Sequence, residues 1–84
     1  MEQFETGMMA RSKSGHDAGK VYVITKVEEA YVYLVDGKVR TLDKPKKKKK
    51  KHVQLIKESV DIQSATDVDI KRWIKIWNKE DNQN

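Results

Sequence analysis

Apolar and polar residues alternate in short blocks through the first two-thirds of the chain, and the spacing then changes. Residues 20–27 hold Val21, Tyr22, Val23, Ile24, Thr25 and Val27, mostly β-branched or aromatic, and predict the best strand. Residues 6–11, with Met8, Met9 and Ala10 between polar ends, predict a shorter one. Residues 31–35 (Tyr31, Val32, Tyr33, Leu34, Val35) predict a further strand. Asp36 and Gly37 behind it form the residue pair of a type I′ hairpin turn. On that reading residues 38–42 return as the next strand of a meander, and residues 53–57 resume alternation as the fifth. Such short antiparallel strands predict a curled sheet that closes into a small barrel, because closure removes exposed edges.

The punctuation agrees with this reading. Residues 12–19 carry Gly15 and Gly19 among serine and aspartate, which is turn chemistry. Glu28, Glu29 and Ala30 turn the chain between two strands. Beyond residue 66 the period becomes helical: Ile70, Trp73, Ile74 and Trp77 recur at i, i+3, i+4 and i+7. Thr66 and Asp69 have the spacing of a capping box, with Asp in place of Glu. The expected organisation is a flexible leader over 1–5, a barrel over 6–57 with a lysine-rich loop at 43–52, a linker over 58–66, an amphipathic helix over 67–79 and a flexible tail over 80–84. The fold class is mainly β, followed by one α-helix.

With 84 residues the chain forms one domain. A domain this small buries only about 60–65% of its unfolded surface, which favours a binding surface over a deep substrate cavity. Cysteine is absent, so disulfides and thiolate metal sites do not arise, and the expected home is a reducing, cytoplasmic one. No apolar run approaches the roughly 20 residues of a membrane span. The net charge is +5, but it is unevenly placed. Residues 38–52 hold nine basic residues against Asp43 alone, whereas the rest of the chain holds nine basic and twelve acidic residues. A near-neutral body with one concentrated positive segment points to a polyanionic partner.

The centre of that segment is Lys46, Lys47, Lys48, Lys49, Lys50 and Lys51. Six consecutive ammonium groups repel one another, so the expectation is a solvated or ligand-bound loop, kept extended by Pro45. Lysine contacts to phosphate release counterions and make binding salt-dependent. An anionic membrane surface, a nuclear localisation pattern and a merely solvated loop are the alternatives. The glycine turn is the second candidate, because its backbone N–H groups, beside Lys13 and Lys20, could cradle a phosphate. An ordinary strand connection explains it equally well.

The order strand, Gly15, His16, Asp17, Ala18, Gly19, Lys20, then Val21 to Ile24, resembles the KOW motif of ribosomal proteins and transcription elongation factors. The block Val32, Tyr33, Leu34, Val35, Asp36, Gly37 extends the likeness to the large-subunit ribosomal protein family numbered fourteen-e and to the bacterial KOW-domain RNA-binding proteins similar to it. The resemblance covers residues 6–56. It implies an SH3-like five-stranded β-barrel that docks on structured RNA, often ribosomal RNA. It also implies Gly15, His16, Asp17, Gly19 and Lys20 as motif positions. KOW motifs mediate protein as well as RNA contacts.

The expected RNA surface therefore joins Lys13, Gly15, His16, Asp17, Gly19, Lys20, Lys38, Arg40, Lys44, the six lysines and His52. Tyr31 and Tyr33 share one strand face. They could stack on unpaired bases or lie beneath Trp73 and Trp77, and the tryptophans' need for cover favours the second. Neither His16 nor His52 has metal-ligand spacing to a second ligand. Nothing has the spacing of a nucleophile–base pair or a carboxylate pair, so the expectation is a non-enzymatic protein without cofactor or metal, monomeric when free. Recognition should be by phosphate and shape, since lysine lacks the bidentate fork that reads bases. The alternative is a protein–protein adaptor of the translation or transcription machinery, using the KOW surface and the helix, with a ribosomal or transcription protein as partner.

Overall fold

The computed structural model describes residues 3–81 of the chain. Five strands form a single antiparallel sheet in the order β4-β3-β2-β1-β5: β1 (Met8–Ser12), β2 (Val21–Val27), β3 (Tyr31–Val35), β4 (Lys46–Lys49) and β5 (Val53–Ser59). A 3-10 turn, Lys50–His52, joins the two edge strands, and one helix, α1 (Asp67–Asp81), follows. The mainly β class with a C-terminal helix is as the sequence predicts.

The sheet has two apolar faces, each set by the period-2 alternation of its strands. Met9, Val23 and Val35 lie side by side across β1, β2 and β3, and α1 covers them with buried Ile70 and Ile74. Trp73 and Trp77 pack around the same cluster, together with Ile56, Val60, Ile62 and Ala65. On the opposite face Ala10, Tyr22, Ile24, Val32, Leu34 and Val53 form a second buried cluster. Among the described residues no helix covers that face, so the sheet buries it by curling around it.

The 3-10 turn shows how far the curl goes. In a flat sheet four inter-strand spacings of about 4.8 Å would hold β4 and β5 roughly 19 Å apart, while three 3-10 residues advance only about 6 Å. The turn is tied at both ends: Lys50 N–H donates to the Ala30 carbonyl at 2.9 Å, and the His52 carbonyl accepts from Lys13 N–H at 2.8 Å. A twist of about 20–25° at each strand pairing lets the sheet coil, and the three-residue link shows that the coil brings the end of β4 next to the start of β5. The sheet is not closed into the expected barrel, however. β4 and β5 remain its two edges, with no ladder between them among the described residues.

Three expected elements are corrected. Residues 38–42 are not a strand. Asp36 Oδ1 accepts from the N–H groups of Lys38, Val39 and Arg40 at 2.8–3.0 Å, so a side chain takes the donors a ladder would need. The turn is not type I′ either, since Gly37 alone has positive φ there and that type requires two such residues. The third correction concerns residues 43–52, expected as a loop, which contain β4 and the 3-10 turn. Val32 stands opposite Lys48 and Leu34 opposite Lys46 in that ladder.

Boundaries shift as well. Phe4, placed in the expected leader, packs against the second cluster. β5 runs on to Ser59, and Val60, Ile62 and Ala65 of the expected linker pack beneath α1. The helix extends two residues past the predicted Lys79, to Asp81. Residues 1–2 of the expected leader and 82–84 of the expected tail lie outside the described residues. The capping box forms as read: Asp69 N–H donates to Thr66 Oγ1 at 3.2 Å, and Thr66 N–H donates to Asp69 Oδ2 at 3.0 Å.

The residue 36–45 loop is docked on the start of α1. Leu42 N–H donates to Asp67 Oδ1 at 2.8 Å, and a Cβ added to Gly37 would collide with the Asp67 carbonyl and stand 2.9 Å from Lys71 N. Gly37→Ala should therefore cost about 2–3 kcal/mol, combining positive-φ strain with the clash. Gly19→Ala, at a similar φ but with open space around the new methyl, should cost only about 1 kcal/mol. Urea denaturation of the two variants checks this, and equal losses would contradict the close approach.

Candidate nucleic-acid interface

The lysine strand is organised by one carboxylate. Asp17 lies in the glycine turn, between the ends of β1 and β2, and is 5% exposed. Its Oδ1 accepts from Ser12 Oγ at 2.9 Å and from Lys48 Nζ at 3.1 Å; its Oδ2 accepts from Tyr22 OH at 3.0 Å and pairs with Lys46 Nζ at 2.8 Å. Lys48 also donates to the Ser14 carbonyl at 2.9 Å. The turn that presents Asp17 is closed by Gly19 N–H on the Ser12 carbonyl and Lys20 N–H on the Asp17 carbonyl. Gly15 and Gly19 both take positive φ in it.

Alternation along β4 then sorts the lysines. Lys46 and Lys48 share the face of Leu34 and Val32, so their stems lie along the apolar cluster while their ammonium groups reach Asp17. Lys47 and Lys49 point to the other side, opposite Tyr33 and Tyr31. Lys47 Nζ stands 4.4 Å from the centre of the Tyr31 ring and 5.9 Å from that of Tyr33, within cation–π range. Lys26 approaches the other side of the group, 5.3 Å from the Tyr33 ring. Glu28 pairs loosely with both Lys26 and Lys47, at 3.6 and 3.9 Å. These pairs are exposed and contribute little.

Tyr31 and Tyr33 are half-buried and belong to neither apolar cluster. The tryptophans expected to cover them pack instead beside Met9, with Arg11 5.3 Å from the Trp77 ring. Beside Tyr31 a shallow recess of about 500 Å³ is lined by Glu29, Ala30, Lys49, Lys50 and Lys51. Among the described residues, Lys49 and Lys51 form no ion pair.

The expected site residues thus lie on several different surfaces. Lys47, Lys49, Lys50 and Lys51 border the tyrosine side. His16, Lys20, Arg40 and Lys46 line a recess of about 190 Å³ on the side of the glycine turn, and Lys38 borders a neighbouring groove together with Lys20 and Gly19. Asp17 and Lys48 face inward as positioning residues. Lys13 and Lys44 are exposed, and His52 is half-buried in the 3-10 turn with its carbonyl accepting from Lys13. Sequence reading missed Lys26, Lys71 and Lys75, which lie near these surfaces. The i,i+4 spacing of Lys71 and Lys75 placed them on one helix face, but nothing in the sequence said which part of the sheet that face would meet.

Burial by itself would raise the Asp17 pKa, but hydrogen bonds from Lys46, Lys48, Ser12 and Tyr22 outweigh it and hold the carboxyl far below the ordinary value of 3.8. The Tyr22 phenol is pushed up to about 12 by burial and by its bond to the Asp17 carboxylate. Among the described residues no group of His, Cys, Asp and Glu could hold a metal ion, and no helix is long and apolar enough to cross a membrane. No protein-family model matches the chain, and no curated protein matches it.

Asp17→Asn leaves two mostly buried ammonium groups without a counter-charge and should cost about 3 kcal/mol at neutral pH. Because the folded-state pKa is depressed, the carboxylate's contribution is present above pH 3.8 and is lost as pH falls below it. The stability gap between wild type and variant should therefore narrow steadily below that pH. Tyr22 has the opposite sign: its contribution is full below pH 10.0 and is lost as pH rises toward about 12. Denaturation midpoints across pH test both, and a gap that stays constant in acid would refute the role given to Asp17.

Proposed function

We propose that this chain is a non-enzymatic RNA-binding protein, associated with ribosomal RNA or the ribosome, that recognises phosphate and shape. The observation carrying this reading is the partition of the lysine run. Asp17 takes up two ammonium groups and fixes β4 as a strand, so Lys47 and Lys49 are held in a row beside two tyrosines. A solvated loop would not give its charges fixed positions. A strand does, and fixed cations bordering aromatic rings suit a phosphate backbone with neighbouring bases.

The KOW resemblance of residues 15–20 supports RNA as the particular polyanion. Lysine supplies point charges, so the grip should follow backbone and shape, not base sequence. In this reading the protein works in the cytoplasm as a monomer when free and needs no cofactor. One observation favours a second reading, the adaptor. A small recess is lined by the apolar Met9, Val60, Trp73, Ile76 and Trp77 together with Glu58 and Ser59, and Ile76 is 49% exposed. A ribosomal or transcription protein could seat an apolar side chain there while the lysines steer its approach.

Filter binding to a ribosomal-RNA transcript across a salt series tests the first reading. Affinity should fall steeply with salt, and replacing Lys47, Lys49 and Lys51 together by Ser should flatten the log–log slope by roughly 2–3. Binding that ignores salt would rule out the proposed grip. Survival of a protein complex after nuclease treatment would favour the adaptor.

A further inference from the structure

Three separate parts of the chain bring basic residues to one groove between the glycine turn and α1. Lys20 comes from the end of the turn, Lys38 from the residue 36–45 loop, and Lys71 and Lys75 from the helix. The groove encloses about 570 Å³, and its apolar floor includes Val21 and Ile74. Asp36 is the only acid lining it among the described residues, and its Oδ1 already accepts three backbone N–H groups. Lys71 and Lys75 lie one turn apart on the same helix face, where like charges repel. Four ammonium groups around one carboxylate leave the groove with a net positive charge, and an anionic ligand would relieve the repulsion.

The groove is not isolated. Lys20, Asp36 and Val39 border both it and the recess lined by His16, Asp17, Tyr22, Arg40 and Lys46. A path on which basic residues outnumber the acids Asp17 and Asp36 therefore leads from Lys46, whose ammonium group is paired with Asp17, past the glycine turn and onto the C-terminal helix. It is open along its course, which suits a chain better than a small anion enclosed by converging donors.

We propose that the phosphodiester backbone of the bound RNA leaves the β4 edge, passes Arg40 and Lys20, and continues into this groove. There Lys38, Lys71 and Lys75 neutralise successive phosphates, and the apolar floor lies against the sugars. The helix is then part of the RNA surface as well as cover for the sheet. This rests on the RNA-binding reading above and extends it to an element that reading does not use.

The test compares two double variants of equal charge in filter binding to a ribosomal-RNA transcript. Lys71→Ser with Lys75→Ser removes groove cations; Lys57→Ser with Arg72→Ser removes the same charge from exposed positions that do not line the groove. All four side chains are exposed, so both variants should fold, as thermal melts will verify. The groove variant should flatten the salt slope by about 1.5, and the control should leave it near the wild-type value. Equal slopes for both variants, with wild type still binding steeply, would overturn the helix path and leave the RNA reading standing. Absence of salt-dependent binding by wild type would instead remove the RNA reading itself. If the groove variant keeps its RNA slope but loses binding to poly-L-glutamate, the groove serves an acidic protein segment and the proposal is wrong.

Discussion

Asp17 sits where the glycine turn, β1, β2 and β4 meet, and its two oxygens receive donors from Ser12, Tyr22, Lys46 and Lys48. Much of the molecule depends on that convergence. Without a buried negative charge at this point, β4 would place two ammonium groups against an apolar cluster. With it, the stems of Lys46 and Lys48 cover Val32 and Leu34 while their heads are neutralised. The carboxylate in turn needs both lysines and both hydroxyls, because desolvation opposes its charge. Turn and strand therefore hold each other in place across about thirty residues of sequence.

The edge that results has two different sides. Inward lysines complete the fold, while outward lysines, alternating with them, remain beside Tyr31 and Tyr33 at the surface. Lysine is well suited to such an edge, since a charged border also repels a second strand that might add to the sheet. The same residues can thus keep the sheet from propagating and offer a phosphate-binding row. The curl of the sheet matters equally, because it brings the 3-10 turn between the β2–β3 connection and the end of β1.

Much of the fold was legible in the sequence. β-branched and aromatic residues located β2, β3 and β5, a short apolar block between polar ends located β1, and the i, i+3, i+4, i+7 stripe with its capping box located α1, because these signals arise from local alternation and local hydrogen bonds. The failures share a cause. Residues 38–42 looked like a strand, but the Asp36 side chain takes their N–H groups. Residues 46–49 read as a loop because their self-repulsion is local, whereas the carboxylate that relieves it is distant in the chain. For the candidate site, the basic residues were visible in the sequence, but their division between two sides of β4 and the inward role of Asp17 were not.

Sequence alone determined the charge concentration, the glycine turn, the helix and the strands whose side chains alternate. These follow from properties of neighbouring residues. Only tertiary structure decided that the lysine run is a strand, that the sheet curls without closing, and that α1 brings Lys71 and Lys75 to the same groove as Lys20. Each of those outcomes depends on groups far apart in the chain: one buried carboxylate, a three-residue corner joining the sheet's two edges, and the face on which a helix docks. Their energies exist only once the chain has folded and water has been excluded from between them.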